Sequence, residues 1–186
     1  MERPHFTLTV AVSQDGFISP TTDTPPQEWA SAEEQVLFFS DVNAADWCIM
    51  GRHTHEAADR PDRHRIVFSV TQQGWQRPTQ LWLDPAEVDV GDLAALVQAK
   101  RPLREGLILG GTRVHDWFLA KAAIDAVHLT VEPVRFTKGL TVFTGQDDED
   151  PLSIFETRGF RVMTEKTLNA QGTRFYTLVP KRSENS

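Results

Sequence analysis

Leu107-Ile108-Leu109-Gly110-Gly111-Thr112-Arg113-Val114 is the stretch that decides the fold. Three apolar residues predict a buried strand, two glycines follow it, and Val114, Phe118 and Leu119 then recur on one face of a predicted helix. Adjacent glycines lower the stability of a chain through lost entropy, so a backbone requirement must offset them. That requirement is an unusual peptide geometry or a phosphate lying against bare backbone. The alternative is a plain strand-to-helix turn.

A second junction of the same kind lies upstream. The apolar run of residues 47–50 ends at Gly51, and Arg52-His53-Thr54 opens the next helical segment. A glycine at this point lets a ligand approach the backbone, helix amides can hold an anion, and a guanidinium offers two parallel donors. The alternative is a helix entry with a surface arginine. Two such junctions, each with an arginine, favour a polyphosphate cofactor over a single anion.

Short apolar runs recur along the chain, and helical patterns separate them. A run that is apolar on both faces suits a strand in a parallel sheet that helices cover. Alternation of such strands with helices indicates an α/β sheet with crossover connections. The predicted strands of this kind are residues 47–50, 66–68, 81–83 and 107–109, and the predicted helices are 90–100 and 112–121.

A further helix is predicted to begin near Ser31. Glu34 lies three residues later, which is the spacing of a capping box. Val36, Phe39 and Val42 recur at helical spacing, so we expect them to form its apolar face. Upstream of this helix, residues 6–12 predict a strand, Asp15-Gly16 a turn, and residues 19–27 an ordered loop.

The last third of the chain has a different pattern. Residues 126–131 predict a strand, and residues 160–164 and 174–179 predict a hairpin around Asn169 to Gly172. No stretch is long enough to act as a linker between domains. The sequence therefore predicts one α/β domain over residues 1–186, with a mainly parallel central sheet and an antiparallel C-terminal edge. We expect the tail from Lys181 to fray.

Composition narrows the classes of function. The 186 residues carry a net charge of -7, which argues against non-specific binding of nucleic acid or membrane surfaces because both need a positive face. Cys48 is the single cysteine, so an internal disulfide and a thiolate zinc site are excluded, and its apolar neighbours predict burial. There is no signal pattern and no apolar stretch of about 20 residues, so we expect cytoplasmic residence.

Taken together, these stretches resemble the dihydrofolate reductase superfamily, which includes the reductase domain of bacterial riboflavin biosynthesis. The likeness covers nearly the whole chain and is most specific at the Gly51-Arg52-x-Thr54 and Gly110-Gly111 motifs. It implies a three-layer α/β sandwich, NADPH as cofactor and the capacity to form a homodimer. The matching stretches, in order, are residues 11–18, 50–54, 66–69, 107–114, 118–119 and 124–131.

The resemblance also assigns cofactor contacts. It implies that Arg52, His53 and Thr54 meet the 2′-phosphate and pyrophosphate, with Ser69 as a second contact to the 2′-phosphate. It implies a cis peptide between Gly110 and Gly111 against the cofactor. The remaining implied contacts are the amides of Thr112, Arg113 and Val114 at the pyrophosphate, Gly51 beneath it, and Ala11, Gly16 and Ile18 around the nicotinamide on the first strand and its mobile loop.

Departures from the family patterns bear on the substrate. Dihydrofolate reductases carry an acid on the helix before Gly51, and the corresponding position here is Gln35, with Glu33 and Glu34 beside it. A neighbouring helical residue points about 100 degrees away, so we do not expect dihydrofolate to be turned over. Riboflavin-type reductases usually carry a Glu before the glycine pair, where this chain has Leu109.

The candidate substrate residues are Ser13, Asp15, Trp29 and Gln35. Asp15 and Gln35 are also the candidate catalytic residues, although Asp15 could equally be a turn residue. Trp29 either stacks on a planar substrate or anchors a lid. The histidines give no metal set, because His53 and His55 would diverge on a helix.

The predicted function is hydride transfer from NADPH to a C=N or C=O bond of a small heterocycle, such as an aminouracil or pterin-like compound. The alternative is a non-catalytic nucleotide-binding or regulatory module on the same fold. The missing acid at Gln35 motivates the alternative, and the retained phosphate motifs argue against it.

Overall fold

The computed structural model describes residues 2–182, and the chain forms two compact units. The first unit comprises the chain up to Leu8 together with Phe39–Ile124, and the second comprises Thr9–Phe38 and the chain from Asp125 onward. Most of the tail that was predicted to fray, residues 183–186, lies outside the described residues. The prediction of a single domain stays a prediction.

The described residues form eleven strands, five α-helices and one short 3₁₀ turn at Pro26–Glu28. In chain order they are β1 (His5–Val12), β2 (Phe17–Ser19), α1 (Ala32–Ala44), β3 (Trp47–Gly51), α2 (Arg52–Ala57), β4 (Arg65–Phe68), β5 (Gly74–Arg77), β6 (Gln80–Leu83), α3 (Asp92–Val97), β7 (Glu105–Gly110), α4 (Thr112–Ala120), β8 (Ala126–Val131), β9 (Leu140–Thr141), α5 (Pro151–Glu156), β10 (Phe160–Thr167) and β11 (Arg174–Pro180).

The first unit contains a parallel sheet in the order β1-β7-β3-β4-β6, to which the first half of β1 contributes. In register, Met50 pairs with Val67, and Val67 pairs with Trp82. The short apolar runs are therefore parallel strands, as predicted. The sequence missed β5, an exposed strand that pairs antiparallel with β6 at the edge.

Helices cover both faces of this sheet. Phe118 of α4 packs against Phe68 at a ring separation of 6.4 Å, and His55 of α2 packs against Trp82 at 5.5 Å. Val67 shares the face of Trp82, and its neighbour Phe68 points to the opposite face because side chains alternate along a strand. Helices α2 and α4 therefore lie on opposite faces, which is the layered arrangement that the patterns predicted.

The second unit contains the antiparallel strands. Strand β11 pairs with β8 on one side and with β10 on the other, and the second half of β1 belongs to the same unit. The β10–β11 hairpin turns at residues 168–173, so the predicted hairpin is confirmed. The small β2–β9 sheet and helix α5 were not predicted. Helix α5 follows the four acidic residues 147–150.

Two predictions about helices need correction. Val36 and Phe39 are 70% and 44% exposed, so they are not the buried face of α1. The covered face instead runs through Glu34, which is buried, and the partly buried Phe38 and Asp41. This face was not recognised in the sequence because Glu34 and Asp41 are charged, and hydropathy places charged residues on the surface. Helix α3 is also shorter than the predicted residues 90–100, since it spans only Asp92–Val97.

The prediction for Cys48 is confirmed. The thiol is 6% exposed in a cluster with Met50, Val67, Trp82 and Leu107. Burial, which disfavours the thiolate, raises the pKa of Cys48 to about 11 despite the nearby Arg65 and Arg63 charges. Cys48 is therefore a packing residue of the first unit.

Candidate functional site

The two glycines after β7 differ in what surrounds them. Their peptide bond is cis, as the resemblance implied. Gly110 has a φ of +96°, and a Cβ there would lie 2.9 Å from His115 Nε2. Gly111 has a φ of -77°, and a Cβ there would meet nothing within 4 Å. Backbone conformation and packing therefore explain Gly110, but no contact with residues 2–182 requires a glycine at position 111.

The glycine junctions of β3 and β7 are neighbours. Met50 pairs with Gly110, and a Cβ on Gly51 would lie 3.6 Å from Val114 Cγ2 and 4.0 Å from the Gly110 carbonyl oxygen. Helix α4 begins directly after Gly111, whose carbonyl accepts from the Val114 and His115 amides at 3.1 Å. The Val114 amide is thus bonded within the turn, whereas the helix amides that precede it have no intrahelical acceptor and can bind an anion.

A second group of donors lies where β3 and β4 end. Arg52 Nη1 donates to Thr71 Oγ1 at 3.3 Å, and Thr71 Oγ1 lies 3.3 Å from Ser69 Oγ. Ser69 Oγ also accepts from the backbone amides of Thr71 and Gln72 at 3.3 Å. Thr71 therefore links Arg52 to Ser69, and the assignment of these two residues to a 2′-phosphate stays a prediction. Thr71 was missed, although its place two residues after Ser69 could have indicated it.

The Arg52 guanidinium is only loosely engaged. Its Nε lies 3.7 Å from Glu56 Oε1, and the two side chains are 41% and 55% exposed. An exposed ion pair of this kind contributes at most about 1 kcal/mol. The guanidinium can therefore turn towards an incoming anion with little loss of stability.

The remaining predicted residues of α2 divide by burial. His53 is exposed and Thr54 is half-buried on the first turn. His55 is buried, and its Nδ1 lies 3.1 Å from Arg65 Nη1. Burial lowers the pKa of His55, and the positive charge of Arg65 lowers it further. His55 is therefore a packing residue, and residues 2–182 contain no group of three metal-ligating side chains.

In the second unit, the Asp15 carboxylate is fully engaged by the protein. Asp15 is 2% exposed, and its Oδ1 accepts from Ser13 Oγ at 2.6 Å and from the Phe136 amide at 3.1 Å. Its Oδ2 accepts from the Thr137 amide at 2.8 Å. Burial opposes ionisation, but these hydrogen bonds outweigh it and lower the pKa of Asp15. The geometry favours the turn interpretation of Asp15 over a substrate contact.

Gly16 is required by its surroundings. Its φ is +88°, and a Cβ there would lie 2.7 Å from the Glu149 carbonyl oxygen and 2.8 Å from Ile154 Cδ1. The Gly16 carbonyl accepts from Gln146 Nε2 at 2.8 Å, and strand β2 pairs with β9 directly afterwards. The loop that the resemblance called mobile is thus tied by several contacts. Ala11 of β1 and Ile18 of β2 are half-buried beside it in the chain.

The start of α1 departs from the predicted capping box. Ser31 Oγ accepts from the Glu34 amide at 3.2 Å, as a capping serine does. The Ser31 amide and hydroxyl, however, donate to Glu132 Oε1 at 2.8 and 2.7 Å. Glu132, 101 residues away in the chain, takes the part predicted for Glu34. No local pattern could have indicated it.

Glu34 and Gln35 form a pair on the first turn of α1. Glu34 is 6% exposed, and its Oε2 accepts from Gln35 Nε2 at 2.6 Å. An acid therefore lies beside Gln35, the residue predicted to correspond to the acid of dihydrofolate reductases. Trp29, just upstream, packs edge-to-face against Phe136 at 5.1 Å, and its buried Nε1 has no hydrogen-bond partner among residues 2–182. This packing favours the lid-anchor interpretation of Trp29.

Comparison with known proteins supports the fold. No protein-family model and no curated protein matches the chain. Among solved structures, the chain is similar to the putative riboflavin biosynthesis protein of Shewanella sp. PV-4, with a TM-score of 0.67 and 20% identity. The match covers 96% of this chain and 99% of that one. The predicted α/β fold is confirmed.

Proposed function

We propose that the protein is an NADPH-dependent reductase of a small heterocyclic compound. The observation that carries the proposal is the open space at Gly111, at the first turn of α4 and beside Gly51. A glycine that no protein contact requires, placed at helix amides, is what a backbone-bound phosphate needs. The residues of the first unit therefore fit the pyrophosphate of a dinucleotide.

The donors at the ends of β3 and β4 support a 2′-phosphorylated cofactor. Arg52 contacts Thr71 at 3.3 Å, and Thr71 in turn contacts Ser69 at 3.3 Å. In the proposal, the Arg52 guanidinium binds the 2′-phosphate with charge-assisted hydrogen bonds, and the two hydroxyls donate beside it. His53, Thr54 and the amides of Thr112 and Arg113 complete the proposed phosphate contacts, while the Val114 amide is bonded to the Gly111 carbonyl instead.

The cofactor, when bound, supplies a hydride, and the chain supplies binding, orientation and exclusion of water. Ala11, Gly16 and Ile18 are the proposed neighbours of the nicotinamide. Ser13 and Asp15 hold the loop that carries Gly16, because the Asp15 carboxylate fixes the Phe136 and Thr137 amides. Gln35 is the proposed substrate contact, and Trp29, packed against Phe136, anchors the loop that precedes it. Glu34, hydrogen-bonded to Gln35, is a carboxyl that can hold a proton there.

The substrate class is proposed from two observations. The structural neighbour is described as a putative riboflavin biosynthesis protein, which favours an aminouracil. The position of the dihydrofolate reductase acid is Gln35, an amide whose charge does not change with pH, which disfavours dihydrofolate. Homodimerisation is part of the proposal through the same resemblance, and cytoplasmic residence stays a prediction. Within residues 2–182, no helix is long and apolar enough to cross a membrane.

The test is NADPH oxidation with 5-amino-6-(5-phosphoribosylamino)uracil and, separately, with dihydrofolate. We expect turnover with the aminouracil and little with dihydrofolate. NADPH binding without turnover of either compound would favour the non-catalytic nucleotide-binding module. Turnover of dihydrofolate at the higher rate would overturn the substrate assignment and direct attention to Glu34.

A further inference from the structure

The second unit contains a buried carboxylate, Glu132, with no part in the proposed function so far. It follows β8 directly and is 2% exposed. Its backbone is fixed, since its amide donates to the Val12 carbonyl at 2.9 Å and its carbonyl accepts from the Val134 amide at 2.8 Å. Burying a carboxylate is unfavourable unless hydrogen bonds compensate, so its contacts identify what it holds.

The Glu132 carboxylate joins three segments that are distant in sequence. Oε1 accepts from the amide and the hydroxyl of Ser31, and Oε2 accepts from Thr173 Oγ1 at 2.8 Å. Thr173 is 1% exposed, and Asn169 bonds it twice, through Oδ1 to its amide and through Nδ2 to its hydroxyl. The start of α1 is thereby attached to the turn of the β10–β11 hairpin.

The attachment acts on the first turn of α1. The Ser31 hydroxyl donates to Glu132 and accepts from the Glu34 amide, so one oxygen links the carboxylate to the helix. A negative charge at this end also complements the helix dipole. The adjacent residues Glu34 and Gln35 are hydrogen-bonded to each other. Any displacement of this turn therefore moves both side chains.

We propose that Glu132 is a positioning residue that holds Gln35 and Glu34 in place for the substrate. This role rests on the proposed function, because it gives these side chains a substrate to meet. Glu132 acts through Ser31 and does not itself contact the reacting compound. The attachment depends on both carboxylate oxygens, because Oε1 accepts two hydrogen bonds and Oε2 accepts a third.

The experiment compares Glu132→Gln with wild type and with Asp150→Ala. Glutamine keeps the size of the side chain but replaces one acceptor oxygen with an NH₂ group. Asp150 is the matched control, because its carboxylate caps α5 by accepting from the Ser153 amide, also in the second unit. Both variants lose a helix cap, but only the first lies at α1.

Two readouts are needed. The first is hydrogen exchange of the Glu34 and Gln35 amides, which requires no activity, and we expect it to be at least tenfold faster in Glu132→Gln only. The second is steady-state NADPH oxidation with 5-amino-6-(5-phosphoribosylamino)uracil. We expect kcat/KM for this compound to fall at least tenfold in Glu132→Gln, with the Kd for NADPH within twofold of wild type.

Ser31→Ala and Ser31→Thr provide a second pair if Glu132→Gln does not fold. Alanine removes the linking hydroxyl and should reproduce both effects, while threonine retains it and should restore wild-type values. Unchanged exchange at Glu34 and Gln35 would overturn the proposal, as would an equal loss of kcat/KM in Asp150→Ala. If wild type does not reduce the aminouracil, the proposed function fails, and exchange alone decides whether Glu132 holds the helix.

Discussion

Polar groups in the two units are engaged in opposite ways. At the ends of β3 and β4 in the first unit, the side-chain contacts of Arg52 and Ser69 are 3.3 Å or longer, and the Arg52 side chain is 41% exposed. In the second unit, Asp15 and Glu132 are each 2% exposed, with contacts of 2.6–3.1 Å. A group that the protein satisfies fully maintains shape, and a loosely engaged group remains available to a ligand.

Three glycines show a similar contrast, between positions where the fold requires a glycine and one where it does not. At Gly16 and Gly110, φ is positive and an added Cβ would lie within 3 Å of protein atoms. At Gly111, φ is negative and the space is open. Gly16 and Gly110 therefore serve the fold, and Gly111 serves what binds there. This separation of roles can be broken by substitution.

The largest effect is expected for Gly111→Ala. Its Cβ would occupy the space that we assign to the pyrophosphate, so the affinity for NADPH should fall at least a hundredfold, which corresponds to roughly 3 kcal/mol. The measurement is a fluorescence titration with NADPH, together with circular dichroism to show that the variant is folded. Wild-type affinity in the folded variant would remove the phosphate role of this junction.

Gly110→Ala should instead lower the stability. The added Cβ meets the His115 ring at 2.9 Å, and a φ of +96° is unfavourable for alanine. We expect the free energy of unfolding to fall by about 2 kcal/mol or more. Denaturant unfolding measures this value. A stability equal to that of wild type would show that the neighbouring glycines do not differ as described.

Asp15→Ala should also act on stability, through loss of the Ser13, Phe136 and Thr137 hydrogen bonds. Donors left unpaired beside a deleted carboxylate predict a loss of about 2 kcal/mol at pH 7. Because the folded pKa of Asp15 is lowered, its contribution is complete above the unfolded pKa of about 4 and disappears as the pH falls through the folded value.

The pH dependence provides the check on Asp15. Chemical unfolding at pH 7, 5 and 3 should show a difference between wild type and Asp15→Ala that stays constant from pH 7 to 5 and narrows towards pH 3. A difference that widens on acidification would contradict the hydrogen-bonding role of the carboxylate.

The smallest effect is expected for Arg52→Ala, which should reduce the preference for NADPH over NADH about tenfold. A charge-assisted contact to the 2′-phosphate is worth roughly 1.5–3 kcal/mol, and some of it is offset by the released contacts of Arg52. Arg77→Ala is the control, because Arg77 is bonded to Asp59 at 2.6 and 2.9 Å and should not affect the preference. Equal preferences in both variants would exclude Arg52 from the 2′-phosphate site.

The fold could be predicted where the signal is local. Short apolar runs and glycines at strand ends identified β3, β4, β6 and β7, because burial on both faces is visible in the sequence itself. The buried face of α1 could not be predicted in this way. Glu34 and Asp41 belong to it, and hydropathy places such residues on the surface.

The residues predicted to bind the cofactor depend on local patterns, which is why the sequence could propose them. Arg52, Ser69 and the glycine pair belong to compact motifs next to strands. Glu132 and Asp15 depend on partners 101 and more than 120 residues away, which spacing cannot indicate. The role of Asp15 as an anchor was therefore one of two open alternatives, and Glu132 was not identified at all.

The most direct test of the central claim is a titration of the wild-type protein with NADPH and with NADH at the same pH and ionic strength. If the junctions of the first unit bind a 2′-phosphorylated dinucleotide, NADPH will bind at least tenfold more tightly than NADH. Raising the salt concentration should weaken the binding of NADPH more than that of NADH, because the additional contact is ionic. Equal affinities, or no binding of either compound, would contradict the account.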